Sequence, residues 1–223
     1  MTLGRRRRPG WPLLFVVVAG PLSAGASDAR SDPCNLVSVG VDTSMADSTG
    51  SGIGVRCGEA PGETFVATDT LIHSIAVWRP AVETPYGGGF KLWITEVDST
   101  GVPQIGRVIL EGPVITVPFG DGVHPIKMEF SFDPPFALPR TGRYYFTVQD
   151  YCGGNWDLLA SAYDVYSDGS AWRSGITCFS GCSYLRIPDR LVHPDLVFEI
   201  QFCRGTVTAA HGVSWGRLKA IYR

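Results

Sequence analysis

Aromatic rings set among hydrogen-bonding side chains are the residues of this chain best suited to chemistry. A sugar ring offers apolar CH faces beside a rim of hydroxyls, so such a mixture suits a saccharide. One set is Trp156, Tyr163, Tyr166, Trp172 and Tyr184, interleaved with Asn155, Asp157 and Arg173. The stretch holding it is loop-rich, and binding residues concentrate on loops carried by rigid scaffolds. A second set lies on strand-like segments. There Trp93 shares a face with Lys91 and Thr95, and Tyr145 shares one with Thr147, Gln149 and Tyr151. The competing reading is packing: a face covered by another layer makes its aromatics core, and large loops need aromatics of their own.

Other chemistries have less behind them. Asp164, Asp168 and Gly169 hint at a calcium loop. The acidic spacing of an EF-hand and its closing glutamate are absent, so calcium would need scattered carboxylates and carbonyls. Gly212-Val213-Ser214-Trp215-Gly216 matches G-x-S-x-G, but no His, Asp or Glu follows it. A nucleophile elbow needs both an acid and a histidine later in the chain. His73, His124, His193 and His211 show no mutual spacing for metal or catalysis. Glycoside hydrolysis needs paired carboxylates, but Glu129 and Glu199 sit on regular polar strand faces where a solvated charge is the ordinary explanation. No catalytic residue is assigned.

The cysteines bear on the compartment. Cys34, Cys57, Cys152, Cys178, Cys182 and Cys203 follow a leader-like start. Arg5 to Arg8 precede an apolar run from Trp11 to about Leu22, and Ala24-Gly25-Ala26 reads A-x-A before Ser27. This pattern predicts a secretory signal peptide over residues 1–26. The run is shorter than the roughly 20 apolar residues of a membrane span, and no later run is longer. An even cysteine count in an exported chain predicts disulfides, with fifteen pairings open. A bridge at Cys203 would pin the closing edge of the domain, and Cys178 with Cys182 would staple a loop. The expected location is secreted, extracellular or cell-surface associated, with the periplasm as the alternative.

Composition narrows the partners. Of 19 basic residues the leader takes 4, leaving 15 against 21 acidic, a formal charge of −6. With no basic cluster, nucleic acid is excluded as the expected partner.

The elements that must position these residues are strands. Ile126 to Asp133 and Leu196 to Phe202 alternate apolar and polar without a slip, the mark of half-buried antiparallel strands. Phe90 to Thr95 and Arg143 to Gln149 repeat the rhythm with aromatics. Glu63–Ala67, Leu71–Trp78, Arg107–Leu110, Val114–Val117 and Trp156–Ala160 are further strands. Tyr86 to Gly89, Asp98 to Gly101, Phe119 to Gly122 and Asp133-Pro134-Pro135 carry turn chemistry. Residues 27–60 are less regular, with Met45 to Gly54 read as loop, and Asp164 to Asp195 is poorly periodic. The expected layout is a β-sandwich over 27–203, then a linker and short tail over 204–223. In that tail Trp215, Leu218 and Tyr222 would share one side of a helix.

Gly62 to Thr68, Ile75 to Trp78 and Phe90 to Ile94, followed by Phe132-Asp133-Pro134-Pro135 and Gly142 to Val148, resemble bacterial secreted jelly-roll domains. Carbohydrate-binding modules and choice-of-anchor extracellular domains are of this kind. The likeness covers about Gly62 to Cys203. It implies an all-β, antiparallel β-sandwich of jelly-roll type with no catalytic activity, to which the cysteines, outside that pattern, add disulfide-stapled loops. The expected function is a secreted recognition module whose ligand is a glycan, at the cell surface or in an extracellular assembly. A structural or adhesive protein with a cell-surface protein partner is the alternative, and a glycoside-acting hydrolase comes third.

Overall fold

Successive side chains of a strand point to opposite faces, so each period-two segment must find a layer for its apolar side. The computed structural model describes residues 34–47, 52–56, 59–81, 88–151, 155–176, 185–191 and 195–204. All belong to the unit Asp32–Arg223; residues 1–33 and 205–223, which hold the expected signal peptide and most of the expected tail, lie outside the described residues. Twelve strands are described: β1 Asn35–Val41, β2 Gly52–Arg56, β3 Glu59–Ala67, β4 Leu71–Arg79, β5 Gly89–Val97 and β6 Pro103–Thr116, then β7 Ile126–Ala137, β8 Gly142–Tyr151, β9 Asn155–Leu159, β10 Ala171–Ile176, β11 Leu185–Arg190 and β12 Phe198–Arg204. The helical content among the described residues is one 3-10 turn, Thr43–Met45, capped by the Asp42 side chain. No described helix is long and apolar enough to cross a membrane.

The fold is all-β and antiparallel. One sheet runs β1-β12-β4-β7, and the other runs β11-β10-β3-β8-β5-β6 with a β2–β9 ribbon attached through β3. From β3 to β8 the chain visits the larger sheet, the smaller, the larger twice, the smaller and the larger again. Aromatic pairs join the two layers. Phe90 meets Phe130 edge-on at 4.9 Å, Phe146 lies 5.3 Å from Phe198, and Phe65 lies 6.4 Å from Phe202. Ile72, Ile75, Val77, Leu92, Ile94, Val148 and Ile200 fill the space between and are fully buried. A disulfide joins Cys34, just before β1, to Cys203 in β12. It ties strand ends together across the sheet edge, as the position of Cys203 suggests. Cys57, Cys152, Cys178 and Cys182 lie outside the described residues.

Several elements differ from the sequence reading. Asp133-Pro134-Pro135 does not end its strand, for β7 continues to Ala137. Proline has no N–H to donate, and β7 is an edge strand where that donor has no ladder partner to lose. The irregularity is absorbed in register: Ser74 faces Ser131, but Ile72 faces Phe136. Arg107–Leu110 and Val114–Val117 merge into β6, another edge strand, through Gly112 and Pro113. β1, β2, β10 and β11 arise where loops or weak pattern were expected. In β1, Val37, Val39 and Val41 sit opposite Phe202, Ile200 and Phe198, so pairing with a strong strand settles a weak one.

Candidate functional site

The larger sheet has a second buried face. β11 stands at one end of its strand order and β6 at the other, yet the two lie beside each other. The sheet therefore curls upon itself, as right-handed strand twist allows. The face turned away from the sandwich core becomes the lining of this curl. Register fixes who meets there. Trp172 sits opposite Gly62, Gly62 opposite Thr147, Thr147 opposite Trp93, and Trp93 opposite Glu111. This is one row across five strands. The next row holds Thr64, Tyr145 and Thr95. The two aromatic strand faces foreseen separately, around Trp93 and around Tyr145, are thus one surface.

The lining is polar for a buried place. The Trp93 indole N–H donates to Gln149 Oε1 at 2.7 Å. The hydroxyls of Tyr145 and Ser174 are 3.2 Å apart. Burial pushes the Tyr145 phenol up to about 12, against the opposing pull of its bond with Ser174. Thr147 Oγ1 donates to the carbonyls of Ala60 and Pro61 at 3.1 and 2.9 Å. Trp172 is 9% exposed, and its indole N–H finds no hydrogen-bond partner among the described residues. Burying a polar group without a partner costs free energy. Such an orphan is a place where a ligand oxygen could be received. The rim is wetter. The Lys91 ammonium lies 5.4 Å from the Trp93 ring centre and 5.7 Å from that of Tyr151, and it pairs with Glu111 at 2.6 Å. Tyr151 is 43% exposed.

The remaining sequence-derived site residues are dispersed. Trp156 is a core residue, edge-on to Phe90 at 5.6 Å. Tyr166 packs edge-on to Phe198 at 5.2 Å, and its hydroxyl accepts from the Val66 N–H at 3.3 Å. Asn155 begins β9, and Asp157 is half-buried in the same strand. Arg173 points away from its neighbour Trp172 and pairs with Glu59 at 3.5 Å. Tyr163 is exposed in the segment between β9 and β10, and Tyr184 lies outside the described residues. Asp164 and Asp168 are exposed and belong to no three-ligand cluster among the described residues. Gly62, Thr64 and Ser174 were not foreseen. The one available signal was Gly62, because a glycine inside a strand marks close approach.

The outer face of the smaller sheet is a different surface. Lys127 donates to Glu129 at 2.9 Å and reaches Glu199 at 3.4 Å across the small Ala76. Ser38 and Gln201 donate to Glu199 at 2.9 and 3.1 Å, and Ser131 donates to Glu129 at 3.2 Å. The bond to Lys127 holds Glu129 below the usual carboxylate range. Partial burial pushes Glu199 up, but the bonds from Ser38, Gln201 and Lys127 together outweigh it. Trp78 lies half-buried beside this network under the Lys127 ammonium. These acids face solvent already paired, which is the ordinary solvated face of a sheet.

Compared with known proteins, the chain matches no family model, no curated protein and no solved structure.

Proposed function

We propose that the chain is a secreted, non-catalytic recognition module of jelly-roll type that binds carbohydrate in the curl of its larger sheet. The observation carrying this reading is the row Trp172–Gly62–Thr147–Trp93, with Gln149 bonded to Trp93 and a Trp172 indole N–H that has no partner among the described residues. Two indoles flank hydroxyl and amide groups, the pairing a sugar's CH face and hydroxyl rim require. The jelly-roll reading is supported by the alternation of consecutive strands between two antiparallel sheets. Export is supported by the leader-like start and by a disulfide between the first and last strands.

The lining is enclosed, so it suits the end of a glycan chain rather than its middle. Lys91, Tyr151 and Glu111 at the rim are the groups such a ligand would pass. Screening the chain from Ser27 onward on a glycan array, then titrating the best ligand, tests the reading. Trp93→Ala and Trp172→Ala should each weaken binding by about 2 kcal/mol or more, roughly thirtyfold. Trp78→Ala, on the other sheet, should leave affinity unchanged. Loss in Trp78→Ala with unchanged affinity in the two lining variants would move the site to the smaller sheet. Turnover of the bound saccharide would favour a hydrolase instead.

A further inference from the structure

Three side chains that can bind metal converge on neighbouring strands of the smaller sheet. Cys34 precedes β1, Cys203 lies in β12 and His73 lies in β4. One ligand atom from each lies within 4.8 Å of the other two. Register explains how His73 reaches the sulfurs. Alternation from Val77 and Ile75 would turn position 73 toward the sandwich core. Instead β4 pairs Ser74 with Gln201 and Ile72 with Phe202, so His73 is an extra residue on its strand. Ile72 takes the buried place, and the bulge frees the imidazole. Re-aiming a side chain is what a bulge does to a strand.

While the disulfide is intact, its sulfurs are bonded to each other and are poor ligands. Reduction changes that. Two equivalents of a small thiol reduce the bond, giving two cysteine thiols and the small thiol's own disulfide. A zinc ion then displaces one proton from each thiol and forms two Zn–S bonds, while neutral His73 donates a nitrogen lone pair. We propose that reduction of Cys34–Cys203 opens a zinc site made of Cys34, Cys203 and His73, in which the metal replaces the disulfide as the link between the first and last strands.

The geometry favours this exchange. Tetrahedral zinc needs its sulfurs about 3.8 Å apart and each sulfur about 3.6 Å from the imidazole nitrogen. The imidazole nitrogen lies within 4.8 Å of both sulfurs, and reduction releases the sulfurs from each other so that they can move apart to the first span. The strands need not part for the sulfurs to separate, because β1 is paired with β12 from Asn35↔Arg204 to Val41↔Phe198. Three protein ligands leave the fourth position for water.

The test uses the full exported chain, reduced with dithiothreitol, desalted without oxygen and divided with and without one equivalent of zinc. A pulse of maleimide, read by peptide mass spectrometry, reports each cysteine separately, and zinc is then raised to about three equivalents so that competition from the other four thiols does not leave this site empty. Zinc should slow alkylation of both Cys34 and Cys203. Losing even a ligand's supporting group weakens metal binding about 10–100-fold, so His73→Gln should abolish the slowing at those two positions at limiting zinc. Carbethoxylation of His73 in the reduced wild-type protein provides a reading that needs no variant, and zinc should suppress it. Oxidised protein should show no zinc effect at His73. Equal reactivity of Cys34, Cys203 and His73 with and without zinc would overturn the proposal, as would undiminished zinc protection in His73→Gln.

Discussion

Glu63 is the side chain most at odds with its surroundings. It lies on β3 opposite Phe146, on the face turned toward the sandwich core, and is fully buried. Its Oε2 accepts from the Leu196 N–H at 3.2 Å, while Oε1 has no partner among the described residues. Desolvation, then the nearby Asp195 carboxyl, pushes Glu63 well above the usual carboxylate range. Burial also raises Asp195, although Val165 and Tyr166 donate backbone N–H groups to it at 2.6 and 2.7 Å. A carboxyl raised in the folded state binds its proton more tightly there than in the unfolded chain. Its stabilisation is therefore full below the unfolded values near pH 4 and is lost as pH rises through the folded values. Glu129 and Glu199 act the other way, losing their part as pH falls, but they are screened by solvent. Glu63→Gln keeps an acceptor for Leu196 and removes the titration. Its melting temperature should exceed that of the wild type at pH 8 and fall less steeply between pH 5 and 8. Superimposable profiles would mean that folding does not raise the affinity of Glu63 for its proton.

At the scale of elements, what matters is how rows of residues cross the strands. Gly62 is the middle of the row that links Trp172 to Trp93. A Cβ there would lie 2.7 Å from the Tyr145 ring and would run into the Phe146 carbonyl. Tyr145 can lie over β3 and reach Ser174 on β10 only because position 62 has no side chain. Gly62→Ala should lose about 1–3 kcal/mol of stability through overpacking. It should also weaken saccharide binding more than Gly106→Ala, where a Cβ meets nothing. Chemical denaturation and titration of the two variants check both effects. The same logic explains what could be read beforehand. β5, β7, β8 and β12 carry their own period-two pattern with large apolar residues, so each is legible alone. β10 reads Ala-Trp-Arg-Ser-Gly-Ile and has no such rhythm. It is a strand because β3 pairs with it from Ala171↔Glu63 to Gly175↔Glu59. The prolines at 134–135 looked like a break because a sequence does not say which strands will be edges. Trp93 and Tyr145 were visible as faces, but their meeting depends on β5 pairing with β8, a partnership no local pattern encodes.

For the whole molecule, the decisive link is the one between the first and last described strands. Cys34 and Cys203 are separated by 169 residues, with Cα atoms 5.0 Å apart. Closing so long a loop restricts the unfolded chain strongly, and the chain-entropy estimate is about 5 kcal/mol, with about 2–5 typical of native bridges. The bridge also guards a weak point. β1 is an edge strand paired with β12 alone, and its residues 35–40 are exposed or half-buried. Replacing both cysteines by alanine should therefore act in two ways. The melting temperature should fall by roughly 5–15 °C, given about 2–4 °C per kcal/mol for a chain of this size. Below the transition, amide exchange at 35–41 should accelerate by more than in β5 and β8, inside the larger sheet, whose protection should fall only by the loss of global stability. This separates local fraying from global loss, since a purely entropic effect on the unfolded chain would speed exchange only through whole-molecule opening, in β5 and β8 as much as in β1. Uniform acceleration across all three strands would show that β1 is held by its pairing with β12 and that the disulfide acts on the unfolded state alone.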